Sequence, residues 1–427
     1  MLLVRAAWVA ALFVSVASAA APPAALRADL DHTFLAHAAM TRAVAFSPDS
    51  RFLATASVDG AVKIWRLPDG KLVRSLSHDS GLTSLAFAPD GSLLAGGGYD
   101  GTVVLWPLAE KSPARTLKGH TGTVWTVAFA KDGRLASGGE DKTIRIWNPS
   151  DGATLRKLQG HSLNVWSVSF SPDGAALASG SFDHAVKVWR IETGALVRTL
   201  RGHTQAVVAV AFSPDGDTLA SGGDDSAIRL WSARDGRLIR VLTGRSEHVY
   251  SVAFSPDGRW LASGGREKGA LGTLWKQITG NRLRGRRRGT VRLWRVADGA
   301  LQQVLAESWD DVASVAFSPD GKWLACGSED RNVTLWRLRR APVGRPRNVV
   351  RAARAARPSS YAAALIPRQA SRAARRAASL HAPPYLFRPP ACPSEDAGCA
   401  ETAGRIPICA ARTSGCRRTP PRGRPPA

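Results

Sequence analysis

Short runs in which apolar and polar positions alternate recur from Leu30 to Arg339, separated by turns rich in Pro, Asp and Gly. Such runs predict β-strands joined by hairpins, and this region has no stretch with the periodicity of a helix. The unit that begins near Asn164 contains four predicted strands: Val165–Phe170, Ala176–Ser179, Ala185–Trp189 and Ala195–Leu200. The sequence therefore predicts an all-β domain over residues 30–339.

Tryptophan marks a repeat within this domain. Seven near-identical predicted strands end in tryptophan, at Trp65, Trp106, Trp147, Trp189, Trp231, Trp294 and Trp336. Their spacings are 41, 41, 42, 42, 63 and 42 residues, and a period of about 40 to 45 residues is typical of a four-stranded propeller blade. The single long interval exceeds its neighbours by 21 residues, so the sixth unit contains an insertion.

The ends of the repeat region predict how the ring closes. The last unit ends at Trp336–Leu338 with no recognisable fourth strand, while Thr33–His37 matches the fourth-strand segment Thr199–His203 of an inner unit. Radial closure of stacked blades leaves only short, protected sheet edges. We predict a seven-bladed β-propeller of four-stranded antiparallel blades, in which an N-terminal strand completes the last blade.

These units resemble the WD-repeat family, and in particular its exported, bacterial-type members. The Gly-His element of the family occurs at Gly119–His120, Gly160–His161 and Gly202–His203. The Trp-Asp dipeptide that names the family is absent, since Arg, Pro, Asn or Ser follows each final tryptophan. The resemblance implies a hydrogen-bond network in each blade that links a histidine, a second-strand hydroxyl, a turn aspartate and the tryptophan indole.

The residues of this network are complete in four units. The sets are His37, Thr55, Asp59 and Trp65; His120, Ser137, Asp141 and Trp147; His161, Ser179, Asp183 and Trp189; and His203, Ser221, Asp225 and Trp231. Exceptions are Gly96 in the second unit, Arg245 and Arg288 in the sixth, and Ser308 and Cys326 in the seventh. Because satisfied polar networks stiffen a structure, we expect blades 3–5 to be the most rigid and blades 6 and 7 the loosest.

Histidine, serine and aspartate, three of the residue types in these sets, also form the triad of hydrolases. Their recurrence in four or more copies, each at the same place in a structural repeat, favours a structural role over catalysis. The histidines recur about 41 residues apart, which is not a metal-ligand spacing, and the chain has no phosphate-binding glycine loop of Walker type. The sequence therefore predicts no catalytic residue, no metal and no cofactor.

The resemblance further implies that one face, around the central channel, binds partners. Candidate positions are the residue before the turn aspartate and residues three or five places after the histidine. They are Arg42, Tyr99, Trp125, Glu140, Asn164, Trp166, Phe182, Asp224, His248, Tyr250 and Glu329. The aromatic members predict a cluster of the kind that dominates interface energetics. In the alternative interpretation, Trp125 and Trp166 only pack between blades.

The net charge of +24 is unevenly distributed. Residues 341–427 contain 16 Arg, no Lys and 3 acidic residues, and residues 266–288 contain 8 basic residues and 1 acidic residue. Only +4 remains for the rest of the chain. The insertion either contacts acidic partners or is a tolerated loop, or a segment not translated in nature. The tail, with Ala, Arg and Pro predominating, is predicted to be disordered, or reflects a frame error in GC-rich coding DNA.

Residues 1–21 predict a signal peptide, with Arg5 before an apolar run and small residues at the cleavage site; the alternative is an uncleaved anchor. The protein is therefore expected to be periplasmic or secreted. Cys392, Cys399, Cys409 and Cys416 lie in the tail and can pair in three ways. Cys326 is alone in the repeat region.

Taken together, these features predict a non-catalytic, monomeric scaffold that binds other proteins or peptides on one propeller face. Membrane contact is expected only through the basic tail. Two alternatives remain: an enzyme with a site in the central channel, and a binder of nucleic acid or anionic surfaces through the insertion and tail. The near-neutral repeat region and the predicted export argue against nucleic acid.

Overall fold

A computed structural model of the chain describes residues 25–109, 114–244, 246–267, 289–308 and 310–340. Every regular element in these ranges is a β-strand, and no helix there is long and apolar enough to cross a membrane. The predicted signal peptide, nearly all of the insertion and the tail with its four cysteines lie outside the described residues.

The strands form seven four-stranded sheets, numbered here as blades 1–7. Blade 1 comprises β2 (Thr41–Phe46), β3 (Phe52–Ser57), β4 (Ala61–Arg66) and β5 (Lys71–Ser77). Blade 2 comprises β6 (Leu82–Phe87), β7 (Leu93–Gly98), β8 (Val103–Pro107) and β9 (Arg115–Leu117). Blade 3 comprises β10 (Val124–Phe129), β11 (Leu135–Gly139), β12 (Ile144–Trp147) and β13 (Thr154–Leu158).

The remaining blades have the same composition. Blade 4 comprises β14 (Val165–Phe170), β15 (Ala176–Ser181), β16 (Ala185–Arg190) and β17 (Leu196–Arg201). Blade 5 comprises β18 (Val207–Phe212), β19 (Thr218–Gly223), β20 (Ala227–Ser232) and β21 (Leu238–Thr243). Blade 6 comprises β22 (Ser246–Phe254), β23 (Trp260–Glu267), β24 (Gly289–Arg295) and β25 (Leu301–Ser308). Blade 7 comprises β26 (Val312–Phe317), β27 (Trp323–Ser328), β28 (Asn332–Arg340) and β1 (Leu26–Leu35).

Blade 7 shows how the ring closes. Its strand order is β1-β28-β27-β26, whereas blades 1–6 follow chain order. Strand β1 pairs with β28 from Leu26 opposite Arg340 to Leu35 opposite Asn332. The all-β fold, the seven blades and their antiparallel arrangement are confirmed, and β1 occupies the predicted closing position. The strand is longer than the predicted segment, because Leu26 and Ala28 are also buried.

A side chain of blade 6 also holds the closing strand. Gln303 donates from Nε2 to the Ala28 carbonyl at 3.0 Å and accepts from the Ala28 amide at 3.1 Å. An amide side chain can satisfy both backbone groups of one residue in this way. The closing strand therefore contacts two blades, by a strand ladder on blade 7 and by this pair of bonds on blade 6.

The core lies between neighbouring blades. Ile144 and Ile146 of blade 3, for example, pack with Val165, Leu177 and Trp189 of blade 4, and all five are buried. Alternating side chains place apolar groups on both faces of each sheet, so a blade needs a neighbour on each side. This requirement explains why the repeat forms a closed ring.

Every first strand of a blade has a register shift at the same repeat position, and this feature shapes the central channel. The seven bulge residues are Arg42, Thr83, Trp125, Trp166, Val208, Tyr250 and Ala313. A bulge leaves one residue unpaired and redirects its side chain. All seven of these side chains line one cavity at the channel mouth, so the fold itself presents a ring of variable residues there.

The residue after the bulge joins adjacent blades at five of the seven junctions. The side-chain oxygens of Ser84, Thr126, Ser167, Ser251 and Ser314 accept the amide hydrogens of Val127, Val168, Val210, Val315 and Val44. The equivalent residue is Ala43 in blade 1 and Ala209 in blade 5. Because alanine has no acceptor, these junctions, 1/2 and 5/6, lack the bond.

Candidate binding face around the central channel

Blades 3, 4 and 5 contain the complete polar network. In blade 4, His161 Nδ1 lies 2.8 Å from Asp183 Oδ2, and His161 Nε2 lies 2.7 Å from Ser179 Oγ. The Trp189 indole donates to the same serine oxygen at 2.8 Å. With Nδ1 protonated toward the carboxylate, Nε2 accepts the serine proton. His120 in blade 3 and His203 in blade 5 make the equivalent contacts. In both blades the distance is 2.9 Å from Nδ1 to the aspartate and 2.7 Å from Nε2 to the serine.

The network changes the titration of its aspartates. Burial alone would raise the pKa of Asp183, but the hydrogen bonds from His161 and from the Ser162 and Ala185 amides outweigh it and lower the pKa to about 2. The pKa values of Asp141 and Asp225 are lowered for the same reason. These carboxylates therefore remain ionised, and each fixes the orientation of its imidazole.

The network of blade 1 is incomplete although its sequence is complete. His37 Nε2 lies 2.8 Å from Thr55 Oγ1 and the Trp65 indole donates to that oxygen at 3.0 Å, but His37 Nδ1 is 3.7 Å from Asp59. His37 Nδ1 is buried and has no hydrogen-bond partner among the described residues. Burial lowers the pKa of His37 to about 4, so this imidazole is neutral.

The networks of blades 2, 6 and 7 differ in ways that the sequence indicates. In blade 2, a Cβ on Gly96 would lie 2.7 Å from the Trp106 ring, and His78 turns Nε2 toward Asp100 at 3.1 Å. In blade 6, Trp294 donates to Ser263 Oγ at 2.9 Å; Arg245, Arg288 and the Ser308 side chain lie outside the described residues. In blade 7, Cys326 occupies the hydroxyl position, and burial raises its thiol pKa to about 12.

Four predicted binding residues form a continuous cluster, the aromatic row: Tyr99, Trp125, Trp166 and Phe182. Tyr99 meets Trp125 edge-on at 5.8 Å between ring centroids. Trp125 stacks on Trp166 at 4.0 Å, and Trp166 stacks on Phe182 at 5.0 Å. Tyr99 is 36% exposed and the other three are half-buried. The two bulge tryptophans thus join with two turn residues across blades 2, 3 and 4.

The other half of the face carries a chain of polar contacts, here the ionic arc: Asp224, His248, Tyr250, Arg266, Asp311, Glu329 and Arg42. In its first part, His248 Nδ1 lies 3.1 Å from Asp224 Oδ1. His248 stacks on Tyr250 at 5.6 Å, and the Arg266 guanidinium lies 6.0 Å from the Tyr250 ring. Burial raises the pKa of the Tyr250 phenol, so the phenol keeps its proton.

The second part of the ionic arc crosses the ring closure. Arg266 of blade 6 donates two hydrogen bonds to Asp311, whose side chain is 2% exposed. Glu329 of blade 7 accepts from Arg42 of blade 1 at 3.3 Å. Burial raises the pKa of Glu329, and Asp311 and Asp310 act in the same direction while Arg42 opposes them. Although these three carboxylates approach within 4.8 Å of one another, arginines already bind two of them.

Two predicted residues lie outside both groups. Glu140 is exposed and accepts the Thr123 amide hydrogen at 3.1 Å, beside the Tyr99 end of the aromatic row. The Asn164 carbonyl accepts the Phe182 amide hydrogen at 3.1 Å. Three face residues were not predicted from the sequence: Thr83, Arg266 and Asp311. Thr83 occupies the same repeat position as Trp125, whereas the insertion obscures the alignment of Arg266.

Two cavities are relevant to the choice of site. The one at the channel mouth has a volume of about 140 Å3 and is lined by all seven bulge residues. A larger one of about 430 Å3 lies between blades 1 and 2, beside the turns that join first to second strands. Those turns are at the opposite end of each blade. Since the aromatic row and the ionic arc meet at the channel mouth, that end is the candidate binding face.

Comparison with known protein families identifies the repeat. The WD40 family model, described as WD domain, G-beta repeat, matches seven segments that cover more than half of the chain: residues 29–66, 70–107, 111–148, 152–190, 194–232, 236–270 and 299–337. The chain belongs to the WD40 repeat family. Such propellers commonly mediate protein–protein interactions and are generally non-catalytic. A search of curated proteins finds no match.

The WD40 segments are offset from the blades by one strand. The first runs from β1, in blade 7, to the end of β4, in blade 1, and the second runs from before β5 to the end of β8. Six of the seven segments therefore supply the outer strand of one blade and three strands of the next, whereas the sixth lacks β24. The sixth segment ends at residue 270 and the seventh begins at residue 299, so most of the insertion, residues 271–288, falls between them.

Proposed function

We propose that this WD40 protein is a non-catalytic scaffold that binds another protein or a peptide through the aromatic row and the ionic arc. The observation that carries the proposal is the stack of Trp125, Trp166 and Phe182, half-buried and continuous with the exposed Tyr99. Aromatic side chains next to charged groups are enriched among the residues that contribute most to interface affinity. The ionic arc surrounds the remainder of the same channel mouth.

The geometry of the His–Ser–Asp sets supports a non-catalytic role. Ser137, Ser179 and Ser221 are fully buried, and each serine oxygen already accepts the indole hydrogen of its tryptophan. A nucleophilic serine has to reach a substrate carbonyl. These buried hydroxyls cannot reach a substrate, so we infer that the sets stabilise the blades.

Affinity capture from the producing cell, with the full chain as bait, tests the proposal. The double variant Trp125→Ala/Trp166→Ala is expected to lose the captured partner, because it removes the centre of the aromatic row. The matched control is Leu196→Ala/Val197→Ala, which removes two exposed apolar side chains from the outer strand of blade 4. Circular dichroism and thermal melting establish that each variant is folded.

A milder variant keeps the test valid if the double variant unfolds. Tyr99→Ala removes a 36% exposed turn residue and is expected to weaken capture by about tenfold, the effect of a typical aromatic contact residue. Partner capture that is unchanged in both the tryptophan and the tyrosine variants contradicts the proposal.

An exported location is part of the proposal. It is supported by the charge, the apolar run and the small residues of segment 1–21. Intact-mass measurement of the protein from its own cells is expected to show cleavage after Ala19 or Ala21. A mass that includes residues 1–21 in a cytoplasmic fraction contradicts this part and leaves the binding face unaffected.

A further inference from the structure

The cavity at the channel mouth has an unusual balance of polar groups. Its lining includes one charged side chain, Arg42, and no carboxylate or amide side chain. The other polar side chains that line it are Thr83, Ser84, Trp125, Thr126, Trp166, Ser167, Tyr250 and Ser314. Every one of these can donate a hydrogen bond, although the Thr83 hydroxyl already donates to the Gly97 and Val124 carbonyls, and the indole and the guanidinium can only donate. The lining is therefore rich in donors.

The contacts of the lining hydroxyls increase this imbalance. The oxygens of Ser84, Thr126, Ser167 and Ser314 each accept an amide hydrogen from the next blade. A hydroxyl that accepts one bond still has its own hydrogen to donate. In the part of the chain that the structure describes, no acceptor is found for these four hydrogens. The inter-blade bonds thus fix four oxygens at the channel and leave their O–H groups available.

Two stronger donors of the lining also have no acceptor. Arg42 Nε and Trp125 Nε1 are both buried and without a hydrogen-bond partner among the described residues. An unsatisfied buried donor is destabilising and is rare in native proteins. A ligand atom that accepts hydrogen bonds would remove this cost, and a negative charge would pair with Arg42.

We propose that the channel mouth binds a carboxylate of the partner, either an Asp or Glu side chain or a C-terminal carboxylate. The inference rests on the proposed function only in placing the partner on this face. The partner segment lies on the aromatic row. It directs its carboxylate toward Arg42 and the four available hydroxyls of the lining. A carboxylate has two acceptor oxygens and no donor, which complements a lining of donors.

The nearby acidic residues bear on this proposal. Glu329 lies outside the cavity lining and takes one bond from Arg42 Nη1, at 3.3 Å. Asp311 is bound by Arg266, and Asp310 lies close to both Asp311 and Glu329. Glu329 therefore competes with the incoming carboxylate for Arg42. Removing its charge should strengthen the binding of the ligand, whereas a purely structural salt bridge predicts no gain.

Fluorine NMR titration of the full chain tests the proposal without knowledge of the partner. The probe is 4-(trifluoromethyl)benzoate, and the matched neutral and cationic probes are the corresponding benzamide and benzylamine. We expect the carboxylate to bind at least about tenfold more tightly than the other two, as a charge-assisted bond implies. Arg42→Gln is expected to abolish this preference, and Trp125→Phe to reduce it. Arg51→Gln, on a 73% exposed side chain of the opposite face, is the control.

Glu329→Gln is expected to change the affinity for benzoate in the direction opposite to Arg42→Gln. Because a misfolded variant would not gain affinity, this variant keeps the test valid if Arg42→Gln misfolds. It is expected to tighten benzoate binding severalfold. Equal affinity for the three probes, preference for the amine, or loss of binding in Glu329→Gln overturns the proposal. Short peptides with an internal Glu and an amidated end, or with Gln and a free end, then distinguish the two sources of carboxylate. If partner capture fails but benzoate still binds in a manner that depends on Arg42, the proposed function is contradicted and the carboxylate site is not.

Discussion

Blade 4 and blade 1 each carry a histidine, a hydroxyl residue (Ser179 and Thr55), an aspartate and a tryptophan at the same repeat positions, yet only blade 4 has a closed network. His161 lies 2.8 Å from its aspartate, whereas the equivalent distance at His37 is 3.7 Å. The difference of about 1 Å leaves a buried imidazole nitrogen without a partner in blade 1. Equivalent motifs in a repeat protein therefore do not imply equivalent contacts.

Blades 6 and 7 lack the network but have contacts of another kind. Arg266 joins blade 6 to Asp311 before β26, and Arg42 joins blade 1 to Glu329 of blade 7. These ion pairs act between blades, whereas the His–Ser–Asp sets act within them. Our expectation that blades 6 and 7 are the loosest stays a prediction, and hydrogen exchange that shows blade 6 as the best-protected unit would contradict it.

The largest expected effect comes from removing the closing strand of blade 7. A chain that begins at Ala36 keeps His37 but loses β1, which exposes the edge of β28 and frees Gln303. We expect the free energy of unfolding to fall by more than about 4 kcal/mol, a loss beyond that of most single substitutions. Urea unfolding measures it against a chain that begins at Ala25. A synthetic peptide of residues 26–35 should restore part of the loss, since it can re-form the strand ladder; equal stability of the two chains would refute ring closure by β1.

Serine-to-alanine substitutions compare a closed network with an open one. Ser179→Ala in blade 4 leaves His161 Nε2 and the Trp189 indole without a partner, so we expect a loss of about 2–4 kcal/mol. Ser263→Ala in blade 6 affects the Trp294 indole, and the expected loss is about 1–2 kcal/mol. Urea titrations monitored by fluorescence measure both. A larger loss in blade 6 would reverse the comparison.

Acid is expected to affect blade 1 before blade 4. The pKa of His37 is lowered to about 4 by burial, so the unfolded chain binds a proton below about pH 6.5 and the folded chain does not. The free energy of unfolding that depends on neutral His37 is fully present above about pH 6.5. It falls by about 3 kcal/mol in total as the pH is lowered from 6.5 toward 4. For Asp183, with a pKa lowered to about 2, the loss occurs below pH 4.

Stability measured against pH in the wild type and in His37→Asn checks this order. The variant should show a flatter profile between pH 6.5 and 4 and an unchanged one below pH 4. Parallel profiles for the two proteins throughout the range would show that His37 is not a source of the acid sensitivity.

The smallest expected effect is a gain. Ala209→Ser places a hydroxyl where five other blades have one, within reach of the Val252 amide of blade 6. We expect about 0.5–1 kcal/mol of added stability, the net value of one hydrogen bond. Ala175→Ser, on an exposed turn, is the control, and thermal melting measures both. No gain would show that the hydroxyl residues after the bulges do not stabilise the junctions between blades.

Much of the fold could be predicted from the sequence, because turn residues and the tryptophan period are local signals. The strands of blade 4 agree with the predicted ones to within two residues, and the N-terminal strand lies where the unpaired last unit required it. The extent of β1 could not be predicted, since its first half has no counterpart in the repeat. Its pairing depends on Leu26 and Ala28, which become buried only in the closed ring.

The candidate site was less accessible to sequence reasoning. Repeat positions predicted an aromatic cluster that includes Trp125 and Trp166, but not that these two rings stack across two blades or that Tyr250 stacks on His248 instead. The ionic arc depends on contacts between residues as far apart in the chain as Arg42 and Glu329. Unsatisfied donors such as Trp125 Nε1 are likewise a property of packing in three dimensions, and no residue pattern encodes them.

The pairing of Leu26 with Arg340 brings the two ends of the propeller side by side. A force that pulls on both ends would therefore peel β1 from β28 one backbone hydrogen bond after another, instead of shearing the whole ladder at once. The same proximity means that a short linker could join the ends, and the gene could then begin at another blade. Such a permuted chain would convert the one junction held without a covalent connection into a continuous strand pair.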